Sequence, residues 1–156
     1  MATDLTGKIA LITGGGQGVG QGVALAMAGA GASLVLFGRT LAKLEVTAAM
    51  ITERGGKALT VAGDVASADD LGAAVQAAVD GFGGVDILVN NAQVVPNGPL
   101  EKVTDEAFLA GFTTGPLAVL RLMKLVRPIM AARGGGVIFT LGSSAGIRWD
   151  MAGYGA

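Results

Sequence analysis

The chain has 156 residues, of which 51% are hydrophobic and 15% charged, and its formal net charge is −1. This length suits a single domain, and so weak a charge disfavours a protein that binds nucleic acid through electrostatics. The sequence contains neither histidine nor cysteine, which excludes a Ser-His-Asp triad, a thiolate nucleophile, a disulfide framework and a zinc site of thiolate or imidazole ligands. The chemistry left to the chain is that of carboxylate, lysine, serine and tyrosine groups, or of a bound cofactor.

The N-terminal segment and the most apolar segment both favour a cytoplasmic protein that is not embedded in a membrane. The first residues, MATDLTGK, lack the basic and apolar regions of a signal peptide. The most apolar stretch, GVALAMAGAGASLVLFG, is interrupted by Gly29, Gly31 and Ser33. These interruptions favour a helix, a turn and a buried strand over a membrane span.

Short apolar runs alternate with longer helical patterns along the chain. The runs IALIT, LVLF, ALTVA, DILVN and VIFTL predict strands at 9–13, 34–37, 58–62, 86–90 and 137–141. Each run is apolar on both faces, as expected for a parallel sheet covered by helices on both sides. The segments between them predict helices at 17–30, 41–54, 68–82 and 104–132. The alternation predicts a Rossmann-like, doubly wound α/β domain over 1–156, with strand order 3-2-1-4-5.

Residues at the boundaries support these helices. Gly31 and Gly83 each follow a helical pattern, where a glycine commonly ends a helix. Ser67 and Thr104 each precede a helical pattern and are expected to be N-caps. Pro116 lies inside the last pattern and predicts a kink there.

A glycine-rich segment, TGGGQGVG, occupies residues 13–20 between the first strand and the first helix. Glycines here permit a tight turn and let the backbone approach a pyrophosphate, whose charge is stabilised by the free N–H groups of the helix start. Its place in a βαβ unit favours dinucleotide binding over an ordinary glycine-rich turn, and no Lys-Ser or Lys-Thr pair ends it as in a P-loop ATPase. The loop residues expected to contact the dinucleotide are Thr13, Gly14, Gln17, Gly18, Val19 and Gly20.

The spacing Thr-Gly-x-x-x-Gly-x-Gly in this loop resembles that of the short-chain dehydrogenase/reductase family. GDV at 63–65 resembles the family's adenine-contacting Asp-Val, and DILVNNA at 86–92 its Asn-Asn-Ala-Gly strand end. GGGVIFTLGSSAG at 134–146 resembles the strand that delivers its catalytic serine. The resemblance implies an oxidoreductase that transfers hydride between a nicotinamide cofactor and a carbonyl or secondary alcohol. It adds to the expected cofactor contacts Asp64, Val65, Asn91 and Ala92.

The end of the second strand bears on the choice of dinucleotide. An acid at this position would bind the adenosine ribose hydroxyls of NAD, but the sequence has Gly38 followed by Arg39. No carboxylate repels a 2′-phosphate here, and a guanidinium is available to bind it. NADP(H) is therefore favoured and NAD(H) is the alternative; a solvated arginine at a helix start is the non-functional interpretation of Arg39.

The resemblance implies that Ser143 orients the substrate oxygen while a tyrosine transfers the proton. A lysine four residues after that tyrosine lowers its pKa towards neutrality. Tyr154 is the only tyrosine of the chain, and it follows Ser143 by 11 residues, a shorter gap than is usual in the family. Either Tyr154 is the base on a shortened loop, or the base lies beyond Ala156. Both interpretations place the lysine outside this sequence.

The sequence also departs from the family pattern at two positions and ends early. Gln93 replaces the last glycine of Asn-Asn-Ala-Gly, and Phe112 stands where an asparagine often organises a proton-relay water, so helix packing is its expected role. We expect an incomplete domain that lacks the C-terminal strands and that forms a homodimer or homotetramer at full length. The partner expected is a small carbonyl or alcohol substrate, and the alternative function is a dinucleotide-binding module without catalysis.

Overall fold

A computed structural model of the chain describes residues 3–95 and 99–142. Its strands in chain order are β1 Ile9–Thr13, β2 Ser33–Gly38, β3 Lys57–Ala62, β4 Ile87–Asn90 and β5 Val137–Thr140. They form one sheet in the order β3-β2-β1-β4-β5, and every pair of neighbouring strands is parallel. The predicted doubly wound topology is confirmed.

Helices connect the strands and cover both faces of the sheet. They are α1 Gly18–Gly29, α2 Leu41–Thr52, α3 Ala68–Phe82, α4 Asp105–Phe112 and α5 Ala118–Ala132. A single π-helical turn, Thr113–Leu117, separates α4 from α5 and contains Pro116. Proline has no N–H to donate, so the regular α-helical hydrogen bonding is interrupted where the sequence predicted a kink.

Helix α3 has the bounds that its sequence predicts because both of its ends carry strong local signals. At the N-terminus, the Ser67 hydroxyl accepts a hydrogen bond from the Asp70 N–H at 3.2 Å. At the C-terminus, Gly83 adopts a left-handed backbone with φ of 92°. Thr104 caps α4 in the same way as Ser67, accepting from the Ala107 N–H at 3.2 Å.

Apolar side chains pack on both faces of the sheet. Leu11, Val35 and Leu88 belong to the core beneath α3 and α5, whereas Ile12 and Leu36 belong to the core beneath α1 and α2. Neighbouring residues of a strand contribute to opposite cores because strand side chains alternate across the sheet. Every residue of β1 and β4 is buried, as their continuous apolar runs predict.

The two edge strands depart from the expectation that every strand is covered on both faces. Along β3, three residues are exposed and three are half-buried. In β5, Val137 and Phe139 are 51% and 50% exposed, and in the residues described β5 pairs with β4 alone. An apolar run therefore predicted each strand correctly but did not predict how far it is buried.

A carboxylate joins the amino ends of β1 and β4. Asp86, whose side chain is 8% exposed, accepts hydrogen bonds from the Ile9 N–H at 2.9 Å and from Arg133 Nε and Nη2 at 2.9 and 3.0 Å. Burial by itself raises the pKa of Asp86, but the hydrogen bonds from Arg133 and Ile9 and the charges of Arg133 and Lys8 outweigh it, so the pKa lies below its ordinary value. Arg133 also donates to the Gly83 carbonyl at 3.1 Å, which ties the end of α3 to the same carboxylate.

The helical stretch Asp105–Ala132 is long and apolar enough to cross a membrane when judged by length and composition alone. Its α5 part packs Ala118, Leu122 and Val126 into the core on one sheet face. A core helix passes the same test of length and composition, so this stretch is weak evidence for a membrane span.

Candidate functional site

A cleft of about 420 Å³ opens at the carboxyl ends of the parallel strands. Ligand sites in proteins usually have volumes of about 300 to 1,000 Å³. Open α/β sheets bind ligands at this edge, where the chain changes direction between the first and fourth strands. The residues of the predicted site that line the cleft are Gly14, Gln17, Gly18, Val19, Arg39, Asp64, Val65, Asn91 and Ala92.

The glycine loop is packed tightly against Asn91. Gly14 has a φ of +71°, and a Cβ atom on it would lie 2.7 Å from Asn91 Nδ2. A Cβ atom on Gly20 would meet the Gly14 carbonyl oxygen and would lie 2.5 Å from Asn91 Nδ2. These separations are shorter than real Cβ contacts, so the loop needs glycine at both positions.

Helix α1 begins at the wall of the cleft, where Gly18 and Val19 line it. The N-cap residue Gln17 makes no side-chain capping bond, and the first turn has no acidic residue. The Gln21 N–H bonds to the Gln17 carbonyl at 3.2 Å, and the N–H groups that precede it have no partner within the helix, as at any helix start. Unused donors and the positive end of the helix dipole make this wall suitable for an anion.

Thr13 and Asn91 hold the glycine loop from behind. Thr13 is buried, and its Oγ1 accepts hydrogen bonds from the N–H groups of Asn91 and Ala92, each at 3.0 Å. Asn91 Nδ2 donates in return to the carbonyls of Thr13 and Gly14 at 2.9 and 3.3 Å. Of the expected cofactor contacts, Thr13 and the buried Gly20 therefore support the cleft wall and are not among the residues that line the cleft.

Asp64 and Val65 form the wall on the β3 side of the cleft. The Asp64 N–H donates to Asp70 Oδ2 at 2.8 Å, and Asp64 Oδ1 accepts from the Ala66 N–H at 2.9 Å. The turn that follows β3 is thus held by two carboxylates, one of which faces the cleft. The GDV motif at 63–65 thus lines the cleft, and its contact with the adenine stays a prediction.

Lys43 is a cleft residue that the sequence analysis did not identify. It lies in the first turn of α2, and its Nζ donates to Gln17 Oε1 at 2.5 Å. The neighbouring Arg39 and Thr40 line the same part of the cleft. A basic residue in the first turn of a helix opposes the helix dipole, which is the one local signal that could have drawn attention to Lys43.

Thr114 was missed on the opposite side of the cleft, in the π-helical turn. Its Oγ1 accepts from the Val94 N–H at 2.9 Å and donates to the Ala110 carbonyl at 2.8 Å. It thereby fixes the segment after β4, where Gln93 and Val94 line the cleft. π-Helical turns are frequent at functional sites. Phe112, expected to pack in a helix interface, is 51% exposed in the part of the chain that the structure describes.

The two expected catalytic residues, Ser143 and Tyr154, lie outside the described residues. Their roles stay predictions. The structure places the end of β5, at Thr140, beside Asn90 at the end of β4. The described part of the chain therefore leaves β5 at the carboxyl end of the sheet, where the cleft opens.

Comparisons with known proteins agree with this architecture. A family model described as short chain dehydrogenase matches residues 8–156. The ketoacyl reductase HetN of Nostoc sp. is 37% identical over 144 residues, which are 92% of this chain and 50% of that protein. The chain thus spans about half the length of this curated relative.

Two solved structures are similar in fold and carry different cofactors. The L-sorbose reductase from Gluconobacter frateurii, complexed with NADPH and L-sorbose, superposes with a TM-score of 0.93 at 35% identity, over 99% of this chain and 60% of that one. A 7 alpha-hydroxysteroid dehydrogenase, complexed with NADH and 7-oxo glycochenodeoxycholic acid, gives a TM-score of 0.93 at 33% identity, over 98% of this chain and 60% of that one.

Proposed function

The chain belongs to the short-chain dehydrogenase family, and from this premise we propose that it is the dinucleotide-binding part of an oxidoreductase that uses NADP(H). The reaction proposed is hydride transfer between the nicotinamide and a small carbonyl or secondary alcohol. The single observation that carries the proposal is the glycine cradle, in which Gly14 and Gly20 contact Asn91 so closely that a Cβ atom would fill the space.

The residues present fit a nicotinamide dinucleotide. The start of α1, from Gly18, offers N–H donors and a positive dipole end for the diphosphate. Asp64 and Val65 are proposed to hold the adenine, and Asn91 and Ala92 the part nearer the nicotinamide. Such a cofactor supplies the hydride chemistry, which no side chain can perform, while the protein supplies binding and orientation.

The preference for NADP(H) rests on the end of β2. Gly38 and Arg39 line the cleft there, so the end of this strand contributes a guanidinium to the cleft and no carboxylate of its own. The structural relatives with NADPH and with NADH show that the family fold serves both cofactors. We propose that the residues at this strand end make the choice in this chain, where Arg39 favours a 2′-phosphate.

For catalysis we propose Ser143 as the residue that orients the substrate oxygen, and Tyr154 or a tyrosine beyond Ala156 as the proton-transfer group. A cytoplasmic location and a homo-oligomeric whole protein complete the proposal. The second candidate function is dinucleotide binding without catalysis. It is favoured by Phe112 and Gln93, because neither the relay asparagine nor the glycine of the family pattern is present.

Equilibrium titration of the chain with NADPH and with NADH, followed by calorimetry, tests the cofactor part of the proposal. We expect saturable binding of both, with a Kd for NADPH at least about tenfold lower, because one charge-assisted bidentate contact distinguishes the two. Tighter binding of NADH would contradict the role of Arg39. Binding of neither dinucleotide would contradict the proposed function as a whole.

The catalytic part is tested in the longest form of the protein that the gene encodes. We expect Ser143→Ala to lower the rate of NADPH-dependent carbonyl reduction by about 10² or more with little change in the Kd for NADPH. An unchanged rate would remove Ser143 from catalysis. A wild-type protein that binds NADPH but reduces no carbonyl from a broad panel would support the non-catalytic alternative.

A further inference from the structure

Helix α5 is bonded to the β3 side of the cleft through Arg121. Arg121 Nη1 donates to the Ala66 carbonyl at 2.8 Å, and the two residues are 55 apart in sequence. Ala66 directly follows Asp64 and Val65, which line the cleft on that side. Arg121 itself is not among the residues that line the cleft, so the bond ties the helix to the cleft wall.

The same helical stretch is bonded to the opposite wall through Thr114. Thr114 Oγ1 accepts from the Val94 N–H at 2.9 Å, which fixes the segment after β4. Residues 114 and 121 lie seven positions apart on the continuous stretch Asp105–Ala132. Ala118 and Leu122, next to these bonds, are buried in the core, where close packing holds the helix in place. One fixed helical stretch is therefore bonded to both walls of the cleft.

On this arrangement, and resting on the proposed function, we propose that Arg121 is a positioning residue for the cofactor: together with Thr114 it sets the separation of the two walls that receive the opposite ends of the dinucleotide. In the proposed function, Asp64 and Val65 hold the adenine, and the nicotinamide end lies nearer the segment after β4. Arg121 acts on the cofactor through the placement of the first wall.

The hydrogen bonds of the sheet do not set this separation by themselves. β3 ends at Ala62 and β4 at Asn90, so Asp64 and Val94 lie past the last residues of their strands. Two strands, β2 and β1, lie between β3 and β4, and the usual strand spacing puts the two about 14 Å apart. A helix that is bonded to both walls supplies the fixed distance that the strand ends leave open.

The turn after β3 needs Arg121 for its position and not for its shape. Asp64 Oδ1 accepts from the Ala66 N–H at 2.9 Å, and the Asp64 carbonyl accepts from the Ser67 N–H at 3.0 Å. The Asp64 N–H donates to Asp70 Oδ2 at 2.8 Å. These three bonds join residues within 64–70, so they fix the turn internally. The Arg121 bond joins the turn to α5 and so fixes where the turn lies.

Arg121 is held at the turn by a carbonyl and not by a carboxylate. Across residues 3–95 and 99–142, the one ion pair is that of Arg133 with Asp86. Replacing Arg121 therefore removes a hydrogen bond from a charged donor, which is stronger than one between neutral groups, and leaves no ion-paired carboxylate behind. The loss of the bond and the loss of the charge can then be separated by a second arginine on the same helix.

The separation of two walls affects only a ligand that binds both of them. Once one half of such a ligand is bound, the other half binds intramolecularly, with an effective concentration that depends on how well the ligand matches the span. Adenosine 2′,5′-bisphosphate and reduced nicotinamide mononucleotide are the two halves of NADPH. Each half binds at one wall, so its affinity does not depend on the span.

The test compares Kd values for NADPH, NADH and the two half-ligands in wild type and Arg121→Met, with Arg127→Met as the matched control. Arg127 is exposed on the same helix and does not line the cleft, so its replacement removes the same charge without the bond. We expect Arg121→Met to raise the Kd for both dinucleotides about tenfold and that for each half-ligand less than about twofold. Arg127→Met should change none of the four. Calorimetry measures the dinucleotides, and ligand-detected NMR the weaker half-ligands.

Two further variants sharpen the test. Arg121→Lys keeps a charged donor on a long side chain and should recover most of the lost NADPH affinity. Thr114→Val releases the opposite wall, so it should also weaken the dinucleotide more than either half-ligand, and it gives the same comparison if Arg121→Met does not fold. Because one lost bond already frees the separation, the double variant should bind NADPH little more weakly than the weaker single variant. Far-UV circular dichroism and urea unfolding check that each variant is folded.

Four results would overturn the inference. An equal loss of affinity for NADPH and for adenosine 2′,5′-bisphosphate in Arg121→Met would mean that Arg121 shapes the adenine wall alone. An unchanged Kd for NADPH in that variant would make the bond to Ala66 purely structural. Additive losses in the double variant would mean that the two bonds act independently. Wild-type protein that binds neither dinucleotide would overturn the proposed function and this inference with it, a result distinct from the other three.

Discussion

The two ends of the parallel sheet use their polar groups differently. At the amino end, Asp86 accepts hydrogen bonds from Ile9 and Arg133, and Arg133 Nη1 donates to the Gly83 carbonyl. At the carboxyl end, by contrast, Arg39 and the first N–H groups of α1 face a cleft of about 420 Å³. The charges of Asp86 and Arg133 are satisfied by each other and by the fold, whereas Arg39 at the carboxyl end forms no ion pair among the residues that the structure describes.

This difference separates a structural polar cluster from a functional one by a physical criterion. Both ends are rich in charged and polar residues, so composition does not distinguish them. What distinguishes them is whether each donor and acceptor already has a partner of opposite character. A mutation at the amino end should therefore affect stability alone, and one at the carboxyl end should affect ligand binding.

Removal of the Asp86 carboxylate is expected to give the largest effect. Asp86→Ala leaves the Ile9 N–H and the Arg133 guanidinium without their acceptor, and should lower the free energy of unfolding by about 2–3 kcal/mol. Urea denaturation measures this loss. The Kd for NADPH, extrapolated to fully folded protein, should be unchanged. A matched control is Asp80→Ala, since Asp80 is exposed and bonded only to Gln76 in the residues described, and should cost less than about 0.5 kcal/mol.

The second prediction concerns the packing of the glycine loop at the carboxyl end of the sheet. Gly20→Ala forces a Cβ atom against the Gly14 carbonyl and Asn91 Nδ2, so we expect a loss of about 1–3 kcal/mol in the free energy of unfolding. The displaced loop should also bind NADPH at least about tenfold more weakly. Both quantities are measured on the same preparation, by urea denaturation and by calorimetric titration.

Gly22 provides the control for this prediction within the same helix. A Cβ atom on Gly22 has no other atom within 4 Å, and the residue is exposed. Gly22→Ala should therefore raise stability by up to about 1 kcal/mol through helix propensity, with the Kd for NADPH unchanged. If Gly20→Ala behaved like Gly22→Ala, the tight packing of the loop on Asn91 would not be a requirement of the site.

Local sequence signals explain what could be predicted of the fold. Helix α3 was predicted to the residue because Ser67 and Gly83 act through bonds within a few residues of themselves. The segment 104–132 was predicted as one kinked helix because Pro116 marks the kink. Neither the π-helical form of the interruption nor the bond from Val94 to Thr114, which joins residues 20 apart, has a local signal. The burial of β5 depends on which parts of the chain pack against it, and this cannot be predicted from the residues of the strand itself.

The same limit applies to the candidate site. The glycine loop and Asn91 were recognised because a family motif preserves their spacing. Lys43 was missed because its partner Gln17 is 26 residues away, and only the packing of α2 on the loop brings the two together. The expected contact of Thr13 with the cofactor stays a prediction, and the structure adds that its hydroxyl accepts from the N–H groups of Asn91 and Ala92. Spacing identifies a motif, but it does not divide the motif into lining and supporting residues.

A smaller effect on stability is expected at Thr114, which lines the cleft from the π-helical turn. Thr114→Val removes the acceptor of the Val94 N–H with little change in shape, and should cost about 1 kcal/mol of stability. Thr114→Ser keeps the hydroxyl and should restore most of this loss. If the serine variant were as unstable as the valine variant, the methyl group and not the hydrogen bond would hold the segment after β4.

The smallest expected effect is the contribution of Asp86 to the pH dependence of stability. Because its pKa in the folded chain lies below the ordinary value of 3.8, the folded state holds the proton less tightly than the unfolded state does. The resulting stabilisation is complete above that ordinary value and is lost as the pH falls through the folded-state pKa. In urea denaturation, the stability difference between wild type and Asp86→Asn should be constant from neutral pH down to about 5 and should shrink below about 4. A difference that instead grew on acidification would mean that burial outweighs the bonds from Arg133 and Ile9, and that the amino end holds an unsatisfied charge of its own.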